Sequence, residues 1–199
     1  MEKENFEVIG TSLIAYTALP FEEIPAVDWI FFYSKKGVEY FLQGLSIPIS
    51  PAIQLAAMGT GTANKLIEKG YEPRFIGTGL PNETAQLFLE YADSQKVLFP
   101  RAVRSMRSIQ TILKQKIAVY DLEVYANRPK KSFHITPVSC LVFTSPLNVE
   151  AYFNHYIYEQ QLVIAIGPTT LKVLNKLNIP CHMAKEPTEK ALAWAVLGK

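Results

Sequence analysis

The sequence predicts an α/β protein of two similar lobes, each a parallel sheet flanked by helices, joined by a two-strand hinge. Three observations carry this. Short apolar runs alternate with stretches of helical periodicity along nearly the whole chain, a pattern that implies parallel strands with helices on both faces. A strand-turn-helix stretch occurs twice. Two segments rich in β-branched and aromatic residues lie on either side of the first lobe, so the chain must pass between the lobes twice.

The repeated stretch is clearest at residues 163–174, VIAIGPTTLKVL. Four apolar residues meet a Gly-Pro-Thr-Thr turn, after which Leu171, Val173, Leu174 and Leu177 recur at helical spacing. Proline suits a helix start, threonine can cap its free amides, and the positive dipole end there attracts carboxylate or phosphate. Taken alone, the stretch is equally an ordinary connection between a parallel strand and its helix. Residues 55–70, LAAMGTGTANKLIEKG, have the same form, with Gly59 matching Gly167 and Thr62 matching Thr170. Upstream, WIFFYSKKGVEYF and CLVFTSPLNVEAYF align Ser34 with Ser145, Val38 with Val149 and Glu39 with Glu150. Downstream, Pro81 to Ala85 matches Pro187 to Ala191. Three elements thus recur in one order at a nearly constant offset.

In chain order, residues 6–19 read as one long or broken strand ending at Pro20. A strand at 28–33 leads to a short helix at 36–43, Pro48 and Pro51 mark a connection, and the strand at 55–58 feeds a helix through Lys69 that Gly70 stops. A third strand at 74–76, a helix at 82–91 opened by Pro81, and a fourth strand at 96–99 closed by Pro100 follow. Residues 101–116 read as a helix carrying Arg101, Arg104 and Arg107 along one side, which is also what a solvated face looks like. Arg101, directly after a strand end, is the favoured ligand contact. The alternating strand VYDLEVYA at 119–126 gives way to a polar, proline-bearing connection. The first lobe is therefore set at 20–118, the hinge strands at 1–19 and 119–131, and the second lobe at 132–199. Strands at 139–144, 162–166 and 180–183 each precede a helix, the last ending near Gly198. Polar turns at strand ends of both lobes would face a cleft, where ligand is expected.

Composition sets limits. At 199 residues, 49% hydrophobic, 19% charged and net charge +2, the chain offers no electrostatic footprint for nucleic acid. No apolar run approaches a membrane span and MEKENF opens no secretory leader, so a cytoplasmic location is expected. Cys140 and Cys181 lack CxxC spacing and His134, His155 and His182 are scattered, so no metal site is expected.

FTSPLNVEAYF at Phe143, AIGPTTLKVL at Ala165 and EPTEKAL at Glu186 resemble uroporphyrinogen-III synthase. IFFYSKKGVEYF, MGTGTANKL and LFPRAV through LEVYAN agree in the first lobe, although Tyr33 and Lys35 depart from the commoner threonine and proline beside Ser34. The resemblance implies two flavodoxin-like lobes and a cofactor-free, cyclising hydro-lyase acting on hydroxymethylbilane, a linear tetrapyrrole with eight carboxylates. It closes the ring with inversion of the last pyrrole and loss of water. It also implies a monomer and, as a possible partner, the preceding enzyme of the pathway. Tyr125 falls where the family has its acid, although the residue taken alone reads as a packing aromatic of the hinge. Substrate-binding candidates are Ser34, Lys35, Gly59, Thr60, Thr62 and Arg101 in the first lobe, and Ser145, Pro146, Gly167, Thr169 and Thr170 in the second.

Two other readings stay open here: a non-catalytic two-lobed binding protein for an anionic small molecule, and an inactive, N-terminally truncated paralogue. The second arises because residues 96–116 have no partner in the second copy. By symmetry that partner belongs before Phe6, with Tyr16 standing about where Tyr125 stands. The second sheet is expected to have fewer strands, with an uncovered edge that promotes self-association.

Overall fold

A computed structural model describes residues 7–198, which form two compact units: a larger one of residues 16–127, and a smaller one of residues 7–15 and 128–198. Phe6 and the residues before it lie outside the described residues.

The larger unit contains β2 (Trp29–Phe32), α1 (Lys35–Gly44), β3 (Gln54–Ala57), α2 (Thr60–Glu68), β4 (Phe75–Ile76), α3 (Pro81–Ala92), β5 (Lys96–Ala102) and α4 (Ser108–Leu113). Strands β1 (Ile14–Ala18) and β6 (Ala118–Pro129) run across its two boundaries. The sheet order is β1-β6-β5-β2-β3-β4, with the β6–β5, β5–β2, β2–β3 and β3–β4 pairs parallel. Successive residues of β2 point to opposite faces, so Ile30 and Phe32 pack with Val38 and Phe41 of α1 and Leu66 of α2. Trp29 and Phe31 pack with Phe88 of α3 and Ile109 and Leu113 of α4. A parallel sheet buried on both faces explains why WIFF is a continuous apolar run rather than an alternating one.

The smaller unit repeats the plan with β7 (Cys140–Phe143), α5 (Pro146–Phe153), β8 (Leu162–Ala165), α6 (Pro168–Lys176), β9 (His182–Met183) and α7 (Glu189–Val196). Its parallel sheet has three strands, β7-β8-β9, against six in the larger unit. Leu141, Phe143, Val163 and Ala165 pack with Val149 and Leu174 of α5 and α6, and Ile164 packs with Ala191 and Leu192 of α7 on the other face. With β7 at an edge, Val142 is left 41% exposed.

Three sequence expectations are corrected. The long first strand shrinks to β1, because Val8 and Ile9 find no sheet to pack against and stay exposed. Pro100 does not close a strand: β5 runs through it to Ala102, since β5 pairs with β2 only as far as Leu98 and beyond that point only the β6 side forms a ladder. The helix expected over 101–116 is α4 alone. Arg101 belongs to β5, and Arg107 adopts a left-handed φ of 53°, which a continuous right-handed helix excludes.

Candidate functional site

Strand ends and helix starts place the candidate residues. Ser34 caps α1, its Oγ accepting from Gly37 N at 3.1 Å, and Ser145 caps α5, accepting from Asn148 N at 3.3 Å. Pro146 follows at the first turn of α5, and Asn148 Nδ2 also donates to Ser145 Oγ, at 3.0 Å. The repeated serines therefore do the same job in both units.

The repeated threonines do not cap. Gly59 and Gly167 are the N-cap residues of α2 and α6, both extended, and neither helix has a side-chain cap. Thr60 and Thr169 are exposed in the first turns, while Thr62 is buried. Thr170 is only 1% exposed and its Oγ1 has no partner, an expensive state for a hydroxyl. Lys35 opens α1 with its chain end against Gly61 of α2, where an added Cβ would lie 3.3 Å from Lys35 Cε. The starts of α1 and α2 are thus neighbours at the carboxyl ends of β2 and β3.

Tyr125 owes its position to a break in register. Strand β6 pairs Glu123 with Arg101 and then Tyr125 with Ala102, so Val124 is a bulge. Without it Tyr125 would share a face with Asp121 and Glu123. With it, Tyr125 joins the cluster under α1, its ring stacked on Tyr40 at 5.1 Å and 6.0 Å from Tyr16. Burial pushes its hydroxyl pKa up, and a hydrogen-bonding approach by the Ser34 side chain pulls the other way. The hydroxyl is therefore protonated at neutral pH.

Ser34, Arg101 and Tyr125 line one cavity of about 230 Å³, together with Tyr33, Arg104, Arg107 and Asn127. It opens at the carboxyl ends of β5 and β6, where ligands of parallel sheets gather. A larger cavity of about 330 Å³, lined by Trp29, Gln54, Arg74, Glu90, Tyr91 and Gln95, lies at the amino ends and holds none of the candidates. Gly59, Thr60, Thr62 and Lys35 belong to the neighbouring turns of the same unit. Ser145, Pro146, Gly167, Thr169 and Thr170 cluster likewise at the carboxyl ends of β7 and β8 in the smaller unit.

A polar network that the sequence reading missed lies behind the cavity. Tyr33 donates to Gln110 Oε1 and accepts from Ile109 N at 2.8 Å. Gln110 Nε2 donates to Asp121 Oδ1 at 2.9 Å. Asp121 also meets Arg101 Nε at 3.4 Å and Arg107 Nη2. Burial pushes Tyr33 up to about 12, so its hydroxyl stays a donor. The signal was present: Asp121 sits amid the apolar residues of VYDLEVYA, and a carboxylate there needs partners.

The model of the family described as uroporphyrinogen-III synthase HemD matches residues 2–193. The chain belongs to the uroporphyrinogen-III synthase family. Members are cyclising lyases of tetrapyrrole biosynthesis, and this chain has their α/β fold with parallel sheets. It superposes on the crystal structure of uroporphyrinogen-III synthetase from Helicobacter pylori with a TM-score of 0.76 and 25% identity, over 94% of this chain and 90% of that one. A mutant uroporphyrinogen III synthase from Thermus thermophilus shares the fold at a TM-score of 0.59 and 16% identity, over 94% of this chain and 88% of that one. A search of curated proteins gave no match. Among the described residues, no helix of this synthase-family chain is long and apolar enough to cross a membrane.

Proposed function

We propose that this chain cyclises hydroxymethylbilane to the type III ring with Tyr125 as its acid. The Tyr125 O–H donates its proton to the departing terminal hydroxyl, which leaves as water. The electrophilic azafulvene that remains is attacked by the substituted carbon of the last ring, giving a spiro intermediate. Fragmentation and reclosure at the other carbon complete the inversion, and the hydrogen displaced from that carbon leaves as a proton that restores the Tyr125 hydroxyl. Closure without an enzyme gives the other isomer, so the main task is to hold a conformation. Helix-start amides and hydroxyls suit that task, because each can donate a hydrogen bond to a substrate carboxylate. The same reading makes the enzyme that supplies hydroxymethylbilane its functional neighbour in the cytoplasm.

The observation that supports this most is the meeting of Tyr125, Ser34 and Arg101 on one cavity at the carboxyl ends of the strands. The test supplies hydroxymethylbilane made in situ, oxidises the products and separates type I from type III isomers. The unaltered chain is expected to give type III, and a product of type I alone would remove the reading. Tyr125→Phe keeps the ring but loses the donor, so single-turnover rates are expected to fall by roughly 100-fold with binding nearly unchanged. An unchanged rate would leave Tyr125 a packing residue.

A further inference from the structure

Arg107 Nη2 pairs with the Asp121 carboxylate, whereas Arg101 Nε lies buried 3.4 Å from it without a hydrogen bond, and their remaining chemistry differs. The Arg101 side chain is 12% exposed: Nη1 donates to Ala102 O at 2.8 Å and Val103 O at 3.2 Å, and Nη2 meets Glu123 at 3.0 Å. Those bonds fasten the end of β5 to the turn that follows it and to β6. The Arg107 side chain is 53% exposed on the same cavity, with Nη2 on Asp121 Oδ2. Asp121 is itself fixed from the other side by Gln110 and, through it, by Tyr33. Arg107 is also held in the left-handed region at φ 53°, a conformation unfavourable for a non-glycine residue that persists only where its surroundings impose it. Here Thr111 supplies two bonds to its carbonyl, from N at 3.0 Å and Oγ1 at 2.9 Å.

We propose that Arg107, aimed by Asp121, is the arginine that binds a substrate carboxylate in this cavity, with Arg101 serving as a structural brace and Asp121 as a positioning residue. The proposal rests on the synthase reading for the identity of that carboxylate, an acid side chain of a pyrrole ring. An anchored guanidinium suits it, because one nitrogen, Nη2, is spent on Asp121 and the planar fork is held before ligand arrives. Asn127 adds a different ligand-facing group: its Oδ1 is buried on this cavity without a partner, and as an acceptor it suits an N–H of the ligand rather than the carboxylate.

The test has two arms. In the first, uroporphyrin III, a stable ring with eight carboxylates, is titrated by fluorescence. In the second, KM and kcat are measured with hydroxymethylbilane made in situ. Arg107→Ala is expected to weaken porphyrin binding and raise KM by about 10- to 100-fold, the range of a charge-assisted bond. Arg107→Lys, which keeps the charge but loses the fork, should recover part of this. Asp121→Asn should raise KM by about tenfold with a smaller change in kcat, and that effect should vanish in the Arg107→Ala background because Asp121 acts through Arg107. Thermal unfolding of each variant separates misfolding from lost binding. Unchanged porphyrin binding in folded Arg107→Ala, or an Asp121→Asn effect of equal size with and without Arg107, would overturn the proposal. If the unaltered chain makes only type I product, the synthase reading fails while the titration still decides the role of Arg107.

Discussion

The turns at the strand ends of the two units differ in how far they are closed. In the larger unit the turn after β4 is closed on itself: Thr84, fully buried, accepts from Thr78 N at 3.1 Å through an Oγ1 that also lies 3.3 Å from Thr78 Oγ1. In the smaller unit Thr170 is equally buried, and its hydroxyl bonds to nothing. Glycines show the same contrast. A Cβ on Gly77 would meet Thr84 Cγ2 at 2.2 Å and Met58 O at 2.7 Å, whereas one on Gly167 would meet nothing within 4 Å. Where a polar group is paired and the backbone is hemmed in, the residue serves the fold. Where both are left open, as at Gly167 and Thr170, we propose that the residue serves a ligand.

Four changes break or sharpen that contrast. Gly77→Ala forces backbone and a packed threonine apart, and is expected to cost about 3 kcal/mol or more of stability in urea unfolding. A loss under 1 kcal/mol would show that the closed turn is soft. Next comes the Tyr33 hydroxyl, which burial raises from 10.0 to about 12. The fold binds this proton more tightly than the unfolded chain does, so its contribution is complete below pH 10 and lost as pH climbs towards about 12. After allowance for partial exposure the loss is about 1 to 2 kcal/mol, and Tyr33→Phe should remove that component of the alkaline decline.

The smaller effects fall in the smaller unit. Thr170→Val replaces an unpaired buried hydroxyl by a methyl, so the ligand-free protein should gain up to about 1 kcal/mol while uroporphyrin III binding weakens by a similar amount. A lower melting point would mean that the hydroxyl is satisfied within the fold. Gly167→Ala, at an extended φ of −173° and with open space around it, should change stability by less than about 0.5 kcal/mol. A larger loss would place Gly167 with Gly77 as a residue the fold requires.

Local signals were legible in the sequence. The repeat placed Ser34 and Ser145 at their turns and forecast two sheets of one plan with fewer strands in the second, while the capping expected of the threonines falls to those serines instead. What failed depended on distant partners. Pro100 reads as a strand end unless the departure of β2 from β5 is known. The three arginines at spacing three suggest one helix face, but β5 absorbs Arg101 and the left-handed Arg107 starts the helix late. At the site, a period of two assigns Tyr125 to the face of Asp121 and Glu123, and only pairing with β5 reveals Val124 as the extra residue.

That extra residue divides β6 into two reading frames. Before Val124, odd-numbered positions address the layer of α3 and α4, as Val119 does. After it, an odd-numbered position, Tyr125, addresses the layer of α1. One strand thereby delivers Asp121 to the charged network on one side of the sheet and Tyr125 to the aromatic cluster on the other, four residues apart. An ordinary strand can do this only with residues an odd number apart. Lengthening or shortening β6 by one residue at this point would exchange the two addresses for everything downstream, so the length of the strand here is as much a part of the site as the identity of its side chains.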